Sequence, residues 1–279
     1  MSTGPVQTNA EKLSAKKVGA FTHLTLVAPG IAERYRPGTL VSIAVGGSLS
    51  ERLVRRTFAI SRARPTAYGG TVEVVFEPTE PGEQWLATAP AHTRVDVLGP
   101  IGRPFAVPKT PVPCLLVGYD AATAPLLALA ERLRERFCDV HMLIGAPSEP
   151  RLFGALEARR LAKSVTVLTE DGSLGTQGPV LAGLPELLGR TKADVVYAAG
   201  PTRMLQGVAA VAESAGVWSQ TLVDVPMPCG TGVCNACTLP VVGPEGVARN
   251  VRACVEGPVF RGDRVCWDPK ADLAVERSA

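Results

Sequence analysis

The sequence predicts a β plus α/β molecule with three parts: an antiparallel β-barrel, a doubly wound parallel sheet and a small cysteine-rich domain. Three observations lead to this division. Short alternating apolar runs separated by turn residues fill the first part, strand and helix patterns alternate in the second, and clustered cysteines mark the third. We place the boundaries at residues 1–107, 108–224 and 225–279 of the 279-residue chain.

The first part carries the pattern of an antiparallel barrel. Between about residues 20 and 105, runs such as FTHLTLV, TFAIS and TVEVVF alternate apolar and polar positions, and Gly or Pro separates them. Alternation with a period of two buries one face of each strand, and frequent turns join neighbouring strands. The 28 glycines and 24 prolines of the chain fit a fold with many turns. The proline-rich segment PKTPVP, at residues 108–113, marks the link to the second part.

The second part alternates strands with helices. VPCLLVG at residues 112–118 has the pattern of a buried strand, and AATAPLLALAERLRERF at 121–137 places leucines at helical spacing. Further strand patterns follow up to about residue 224, namely DVHMLIGA, SVTVLTE, ADVVYAAG and WSQTLVDV. Such alternation predicts a parallel sheet with right-handed crossovers and helices on both faces.

Composition and charge narrow the class of function. Hydrophobic residues make up 46% and the net charge is +3, so the chain can bury a core and has no basic excess for nucleic acid or an anionic membrane. The first seventeen residues lack the apolar segment of a signal peptide, and the longest uncharged stretch, 225–244, holds too many Pro and Gly for a bilayer helix. Seven cysteines without a secretory signal predict reduced thiols in the cytoplasm.

The cysteine cluster is the most specific motif of the chain. Its spacing, C-x4-C-x2-C with a fourth cysteine after sixteen intervening residues, is that of plant-type [2Fe-2S] ferredoxins. Four thiolates hold two irons, and glycines between the first two cysteines allow the loop to wrap closely. A structural zinc site and unliganded thiols stay as alternatives, although four-cysteine zinc sites usually contain two C-x2-C pairs. The predicted ligands are Cys229, Cys234, Cys237 and Cys254.

Two further segments carry weaker signals. The first strand-to-helix turn of the parallel sheet, GYDAATAP at 118–125, lies where such sheets bind nucleotides, but the chain contains neither G-x-G-x-x-G nor a P-loop motif. RRTFAIS at 55–61 offers arginines for a diphosphate and a phenylalanine for a flat ring. Each segment can equally be structural. The sequence shows no catalytic triad, H-E-x-x-H or paired-carboxylate motif, so no side chain is assigned as a general acid or base.

The order of the parts resembles that of the electron-transfer subunits of class B dihydroorotate dehydrogenases, in the ferredoxin reductase superfamily. The resemblance runs from about residue 15 to 268. The motifs that carry it are RRTFAIS, DVLGPIGRPF, EDGSLGTQG, VVYAAGP and, most specifically, CGTGVCNAC followed by RACVEGPVFRGD.

The resemblance implies cofactors and a partner. In this family the barrel binds FAD, the parallel-sheet domain accepts NADH, and the [2Fe-2S] cluster passes single electrons to FMN in a catalytic subunit that oxidises dihydroorotate for pyrimidine biosynthesis. A hetero-oligomer is therefore expected. By position, the flavin residues are Arg56, Thr57, Phe58, Ala59, Val75, Phe76, Glu77, Gly82 and Glu83. The nicotinamide residues are Gly118, Ala199, Gly200 and Pro201.

Five positions depart from what similar sequences carry. Ala59 stands where a serine hydroxyl usually meets the flavin, and Glu83 where a threonine meets phosphate. Tyr119 and Asp120 replace glycines of a Gly-Gly-Gly-like turn, and Ala199 replaces the cysteine before Gly-Pro. A carboxylate about 5 Å from a phosphate costs roughly 3 kcal/mol at an effective dielectric constant near 20.

Three hypotheses follow from the sequence. The leading one is an electron-transfer subunit that uses FAD and a [2Fe-2S] cluster between a nicotinamide cofactor and a dihydroorotate dehydrogenase. The alternative is a diverged subunit that keeps the cluster, has a weak or absent NADH or FAD site, and acts as a relay or structural partner. The third is a zinc-stabilised scaffold without redox activity.

Overall fold

Six antiparallel strands close a barrel at the N-terminal end of the chain. In the computed structural model the described residues are 4–47, 50, 54–65 and 69–267. Around the barrel the strand order is β1-β2-β5-β4-β3-β6, and β6 pairs with β1. The elements are β1 (Val6–Val18), β2 (Phe21–Val27), β3 (Leu40–Ile43), β4 (Arg56–Arg64), β5 (Thr71–Phe76), the helix α1 (Pro81–Thr88) and β6 (Arg94–Ile101).

The strand β1 is longer than its sequence suggests. Its residues VQTNAEKLSAKKV are mostly polar, and the alternation pattern did not reveal them as a strand. Within it, Lys12 is 3% exposed, and its Nζ donates hydrogen bonds to the carbonyls of Leu86 (2.8 Å) and Ala89 (2.5 Å) at the end of α1. The last carbonyls of a helix have no hydrogen-bond partner within it, so these two are available to accept from Lys12. The ammonium group of Lys12 is therefore satisfied although it is buried in the barrel wall.

The parallel sheet confirms the alternation of strands and helices. Among the described residues it has seven strands in the order β10-β9-β8-β7-β11-β12-β15, of which β15 (Val259–Arg261) runs antiparallel to its neighbour. The strands of the second part are β7 (Pro113–Tyr119), β8 (Asp139–Ala146), β9 (Ser164–Thr169), β10 (Thr176–Gln177), β11 (Val195–Ala199) and β12 (Trp218–Leu222). The helices are α2 (Ala124–Glu135), α3 (Ala155–Leu161), α4 (Leu184–Thr191) and α5 (Thr202–Ser214).

Helices cover both faces of this sheet, as the doubly wound class requires. On the face toward the barrel, α2 buries Leu126, Leu129 and Leu133 at helical spacing. On the opposite face, α4 and α5 bury a second apolar cluster that includes Leu184 and Leu205. Because α2 faces the barrel, the carboxyl ends of β7 and β11 lie at the boundary between the sheet and the barrel.

The C-terminal segment is built onto both larger parts. It contains β13 (Thr238–Val242), β14 (Ala248–Arg252), the short helix α6 (Ala253–Glu256) and β15 (Val259–Arg261). The strand β15 extends the large sheet by pairing with β12, while Met227 packs with Leu40 and Ile101 of the barrel. Among the described residues, no helix has the length and apolar character to cross a membrane.

Candidate functional site

A cleft of about 340 Å³ opens where the barrel, the sheet and the C-terminal segment meet. We refer to it as the interdomain cleft. It lies at the carboxyl ends of β7 and β11, the edge at which parallel sheets bind ligands. Its walls are formed by Phe21, Leu40, Thr57, Phe58, Ala59, Val75 and Glu77 of the barrel, by Tyr119, Asp120, Ala121, Ala122, Ala124, Pro125, Arg151, Gly200 and Pro201 of the sheet domain, and by Leu222, Val223, Asp224, Val225 and Met227.

Most of the expected flavin and nicotinamide residues line this cleft. The barrel contributes an apolar wall from Phe58, Ala59 and Val75, a surface that suits a flat aromatic ring. Phe76 points instead into the barrel core, where its ring stacks on Phe58 at 4.8 Å between centroids. Gly118 and Ala199 are buried at the ends of their strands, whereas Thr57, Glu77, Gly200 and Pro201 line the cleft.

Arg56, Gly82 and Glu83 lie together at the N-terminus of α1, outside the cleft lining. Arg56 donates to Glu80 Oε2 (2.9 Å), and its Nε is buried with no partner among the described residues. A Cβ on Gly82 would lie 3.2 Å from that Nε. The Glu83 carboxylate turns back and accepts hydrogen bonds from the N–H groups of Thr79 (3.2 Å) and Glu80 (3.1 Å). Helix N-termini attract anions, and the carboxylate of Glu83 already occupies the N-terminus of α1.

Arg55 points away from this turn. Its guanidinium donates to the carbonyls of Ser42 and Asp96, both at 2.9 Å, and pairs with the Asp96 carboxylate at 2.6 Å. Of the two adjacent arginines, Arg56 therefore lies beside Gly82, and Arg55 braces the barrel.

Arg151 joins the barrel to the sheet domain at the cleft. Its guanidinium binds Glu77 through two hydrogen bonds of 2.8 and 2.9 Å, and binds Asp120 Oδ2 at 2.9 and 2.5 Å. We call this set the Arg151 bridge. The hydrogen bonds from Arg151 lower the pKa of Glu77, whereas burial raises the pKa of Asp120 despite the same arginine. No motif marked Arg151, because its role depends on residues 31 and 74 positions away.

The turn beside this bridge has an unusual backbone. Asp120 has a φ of +59°, in the left-handed region that favours glycine. Its neighbour Tyr119 donates its hydroxyl to Glu170 Oε1 at 2.6 Å. Tyr119 and Asp120, at the positions where the resemblance implies glycines, are thus each fixed by a side-chain partner.

The four predicted ligand cysteines lie in or near one loop, residues 229–237, which we call the cysteine loop. Cys237 Sγ and Cys254 Sγ are 3.4 Å apart, and Cys229 is hydrogen-bonded to Cys234. The Thr231 N–H also points at Cys229 Sγ, at 3.4 Å. The thiols therefore form two neighbouring pairs. Within the described parts of the chain, no three His, Cys, Asp or Glu side chains converge on a single-ion position.

Two glycines give the cysteine loop its close path. Gly230 and Gly232 have φ values of +67° and +80°. A Cβ would meet Ile101 Cδ1 at 2.8 Å from the first and Val255 Cγ2 at 2.7 Å from the second. The loop thus packs directly on the barrel and on the C-terminal segment, as the glycine spacing led us to expect.

The electrostatics of the loop fit thiolate ligands. Burial opposes ionisation of Cys229, but hydrogen bonds from Thr231 and Cys234 outweigh it and lower its pKa to about 6. Burial and the hydrogen bond with Cys237 raise the pKa of Cys254 to about 12. A cationic metal centre favours the thiolate that it binds, so it lowers the pKa of a ligand cysteine and offsets the effect of burial. Four thiols in two pairs, with an N–H group aimed at a sulfur, fit the ligand set of a [2Fe-2S] cluster.

A hydrogen bond links the segment just before the cysteine loop to the wall of the interdomain cleft. Thr57 Oγ1, in the cleft wall, donates to the Met227 carbonyl at 2.6 Å. Met227 itself lines the cleft and precedes Cys229 by two residues. Sequence reasoning missed this contact, since it joins residues 170 positions apart.

Comparison with known proteins agrees with this geometry. Residues 226–266 match the iron-sulfur cluster binding domain of dihydroorotate dehydrogenase B. A dihydroorotate dehydrogenase B (NAD(+)) electron transfer subunit from Desulforamulus reducens is 30% identical over 246 residues, which cover 86% of this chain and 90% of the relative. The corresponding subunit from Listeria monocytogenes is 32% identical over 223 residues, 78% of this chain and 83% of the relative.

Solved structures share the fold. An NADH-dependent reduced ferredoxin-NADP oxidoreductase, described in a study of flavin-based electron bifurcation, superposes with a TM-score of 0.80 and 26% identity, covering 97% of this chain and 92% of that one. A ferredoxin reductase of carbazole 1,9a-dioxygenase superposes with a TM-score of 0.61 and 20% identity over 76% of this chain and 67% of that one. The barrel and parallel sheet are thus those of ferredoxin reductases.

Proposed function

The chain belongs to the family of dihydroorotate dehydrogenase B electron transfer subunits, and on that basis we propose that it carries electrons between a nicotinamide cofactor and a dihydroorotate dehydrogenase subunit. In this proposal FAD occupies the interdomain cleft, and a [2Fe-2S] cluster is held by Cys229, Cys234, Cys237 and Cys254. The reaction serves pyrimidine biosynthesis. We place the protein in the reducing cytoplasm, where its cysteines remain available as thiolate ligands.

The observation that carries the proposal is the direct contact between the cleft and the cysteine loop. A flavin accepts a hydride, which brings two electrons, whereas an iron–sulfur cluster accepts one electron at a time, so the two groups must lie close together. The Thr57–Met227 hydrogen bond fixes the start of the cysteine loop to the wall of the cleft. This chain's own contribution is to hold the two sites at a constant separation.

Other residues of the chain have roles in binding. Phe58, Ala59 and Val75 offer an apolar wall for the flavin ring, and Arg56 offers a cationic group near the N-terminus of α1 for the diphosphate. Gly200 and Pro201 line the cleft from the sheet domain, and we assign them to the nicotinamide. The cofactors supply the electrons. The protein excludes water from the cleft and sets the orientation of the cofactors.

The exposed edge of the cysteine loop is the side from which electrons leave for the partner. Cys234 is exposed, and its neighbour Val233 is 80% exposed, while Cys237 and Cys254 are buried. An apolar residue beside the exposed ligand suits contact with another protein. We therefore assign this edge to the catalytic subunit, which in the family carries FMN, and expect a hetero-oligomer.

The proposal is tested by purifying the chain anaerobically with a dihydroorotate dehydrogenase subunit. We expect iron and acid-labile sulfide at two atoms each per chain, releasable FAD, and bleaching of both absorption bands by NADH. One zinc per colourless chain would contradict it. Bands of both cofactors that NADH bleaches only in the presence of the partner would still support electron transfer.

The Arg151 bridge favours a second candidate function. Asp120 places a carboxylate at the turn where a dinucleotide would pass, and its ion pair with Arg151 lies in that wall of the cleft. A chain with this feature can act as an electron relay that takes no electrons from NADH directly. FAD and cluster bands that NADH does not bleach, but that a reduced partner subunit does, would identify this function.

A further inference from the structure

Among the described residues, the cleft lining includes five side chains that can gain or lose a proton or carry charge, and four of them have partners. Glu77 and Asp120 are bound to Arg151, and the Tyr119 hydroxyl is bound to Glu170. Asp224 is the fifth. It lines the cleft, its residue is exposed to the water there, and it makes no side-chain hydrogen bond or ion pair with the described residues. A free carboxylate thus stands between the end of β12 and the cysteine loop.

The proposed reaction leaves one proton in this cleft for each hydride. A hydride donor transfers two electrons and one proton to the flavin. Two single-electron transfers from the flavin to the cluster, and from there to the partner subunit, carry away both electrons but no proton. Both electrons therefore end on the partner subunit. The remaining proton must pass to a base of the protein or to water.

We propose that Asp224 is the acid–base group of the cleft: its carboxylate accepts the proton released when the flavin passes its electrons to the cluster, and returns it to solvent. In the reverse direction the same carboxyl group donates the proton. This inference rests on the proposed function, since it requires both cofactors. It assigns a role to a residue outside the motifs that indicate the family.

The surroundings of Asp224 suit this task. Asp224 is in contact with water, but the cleft walls remove part of its hydration, and this desolvation raises its pKa above the ordinary aspartate value, which improves a carboxylate as a base. Within the described parts of the chain, the other charged and phenolic groups that face the cleft are Glu77, Asp120, Arg151 and Tyr119. Because the three charged ones form one ion-paired set, they are poorly placed to exchange protons. Ala59 and Ala199 supply no polar side chain either.

The test compares the FAD- and cluster-loaded protein with its Asp224→Asn and Asp224→Glu variants. The first readout is the time-resolved infrared difference spectrum recorded while the flavin passes its electrons to the cluster, started by photochemical reduction so that NADH is not needed. We expect the wild-type spectrum to contain the C=O band of a carboxyl group that changes protonation, and the Asn variant to lack it. The Glu variant should retain a shifted band.

The second readout is the rate of flavin-to-cluster electron transfer as a function of pH, followed by stopped-flow absorption. We expect the wild-type rate to fall as pH drops through one ionisation. Asp224→Asn should be at least tenfold slower, without that dependence, and acetate in the buffer should restore part of its rate. Glu186→Gln, a surface change on α4, should behave like the wild type.

Two results would overturn the assignment. One is an infrared spectrum unchanged by Asp224→Asn. The other is a rate that falls equally at every pH and is not restored by acetate, because that result describes a residue that only orients other groups. Failure of the proposed function itself would be seen beforehand, as wild-type protein without flavin or cluster absorption.

Discussion

The cysteine loop and the interdomain cleft are neighbouring sites built in opposite ways. Three of the four cysteines of the first site lie within nine residues of sequence, and the fourth lies seventeen residues further on. The lining of the second comes from all three parts of the chain, between Phe21 and Met227. Spacing alone therefore identifies the cysteine loop, whereas the cleft exists only once the chain has folded.

The two sites also differ in how charge is satisfied. In the cysteine loop, backbone N–H groups and neighbouring thiols surround Cys229, so the site depends on a cationic centre to bind its thiolates. In the cleft, carboxylates are paired with an arginine of the chain, as in the Arg151 bridge. We therefore expect the structure of the cysteine loop to depend on its metal, and that of the cleft to depend on the charged side chains that line it.

The largest expected effect is the loss of one ligand. Cys234→Ser should abolish the [2Fe-2S] absorption and reduce bound iron to background, because a serine hydroxyl ionises far less readily than a thiol and is a weaker iron ligand than a thiolate. Bound FAD should remain, since the cleft does not use Cys234. Iron, sulfide and flavin are measured on anaerobically purified protein. Cys138→Ser, at a buried cysteine of the parallel-sheet domain, is the matched control and should keep full iron content.

The next effect concerns the bridge across the cleft. Arg151→Met leaves Glu77 and Asp120 without their counter-ion, and these side chains are 36% and 18% exposed. Because this network is only partly buried, we expect the free energy of unfolding in urea to fall by about 1–2 kcal/mol. Iron content should not change. Arg190→Met removes an exposed pair with Glu186 and should have almost no effect; an equal loss in both variants would show that the bridge adds no stability.

These regions also show how far sequence reasoning extends. Alternating patterns predicted the barrel and the strands of the parallel sheet, and the fold confirms both. The strand β1 was missed because its buried positions include Lys12, whose ammonium group is satisfied by carbonyls at the end of α1. Arg151 and Asp224 were missed because nothing local distinguishes them from surface charges. Contacts between distant residues decide their environment, and a single sequence does not reveal these contacts.

A smaller effect is expected at the N-terminus of α1. Glu83→Gln keeps the hydrogen-bonded cap, since glutamine also serves in this position, but removes the negative charge. If the FAD diphosphate binds beside Arg56, the variant should bind FAD about three- to tenfold more tightly, with the larger change at low salt. Equilibrium dialysis of the FAD-depleted protein measures this. Glu186→Gln is the charge-matched control, and an equal gain there would mean that overall charge, and not the turn, is responsible.

The smallest expected effect tests the link between the two regions. Thr57→Val removes the hydroxyl that donates to the Met227 carbonyl and leaves that partly buried oxygen without its partner. The free energy of unfolding should therefore fall by about 0.5–1 kcal/mol. Thr191→Val, which removes a hydroxyl bond within α4, is the matched control. Amide hydrogen exchange should accelerate in the cysteine loop of the first variant and not of the second. If the loop exchanges at the same rate in both, the cleft and the cluster are held together by apolar packing of Met227 against Leu40 and Ile101 instead.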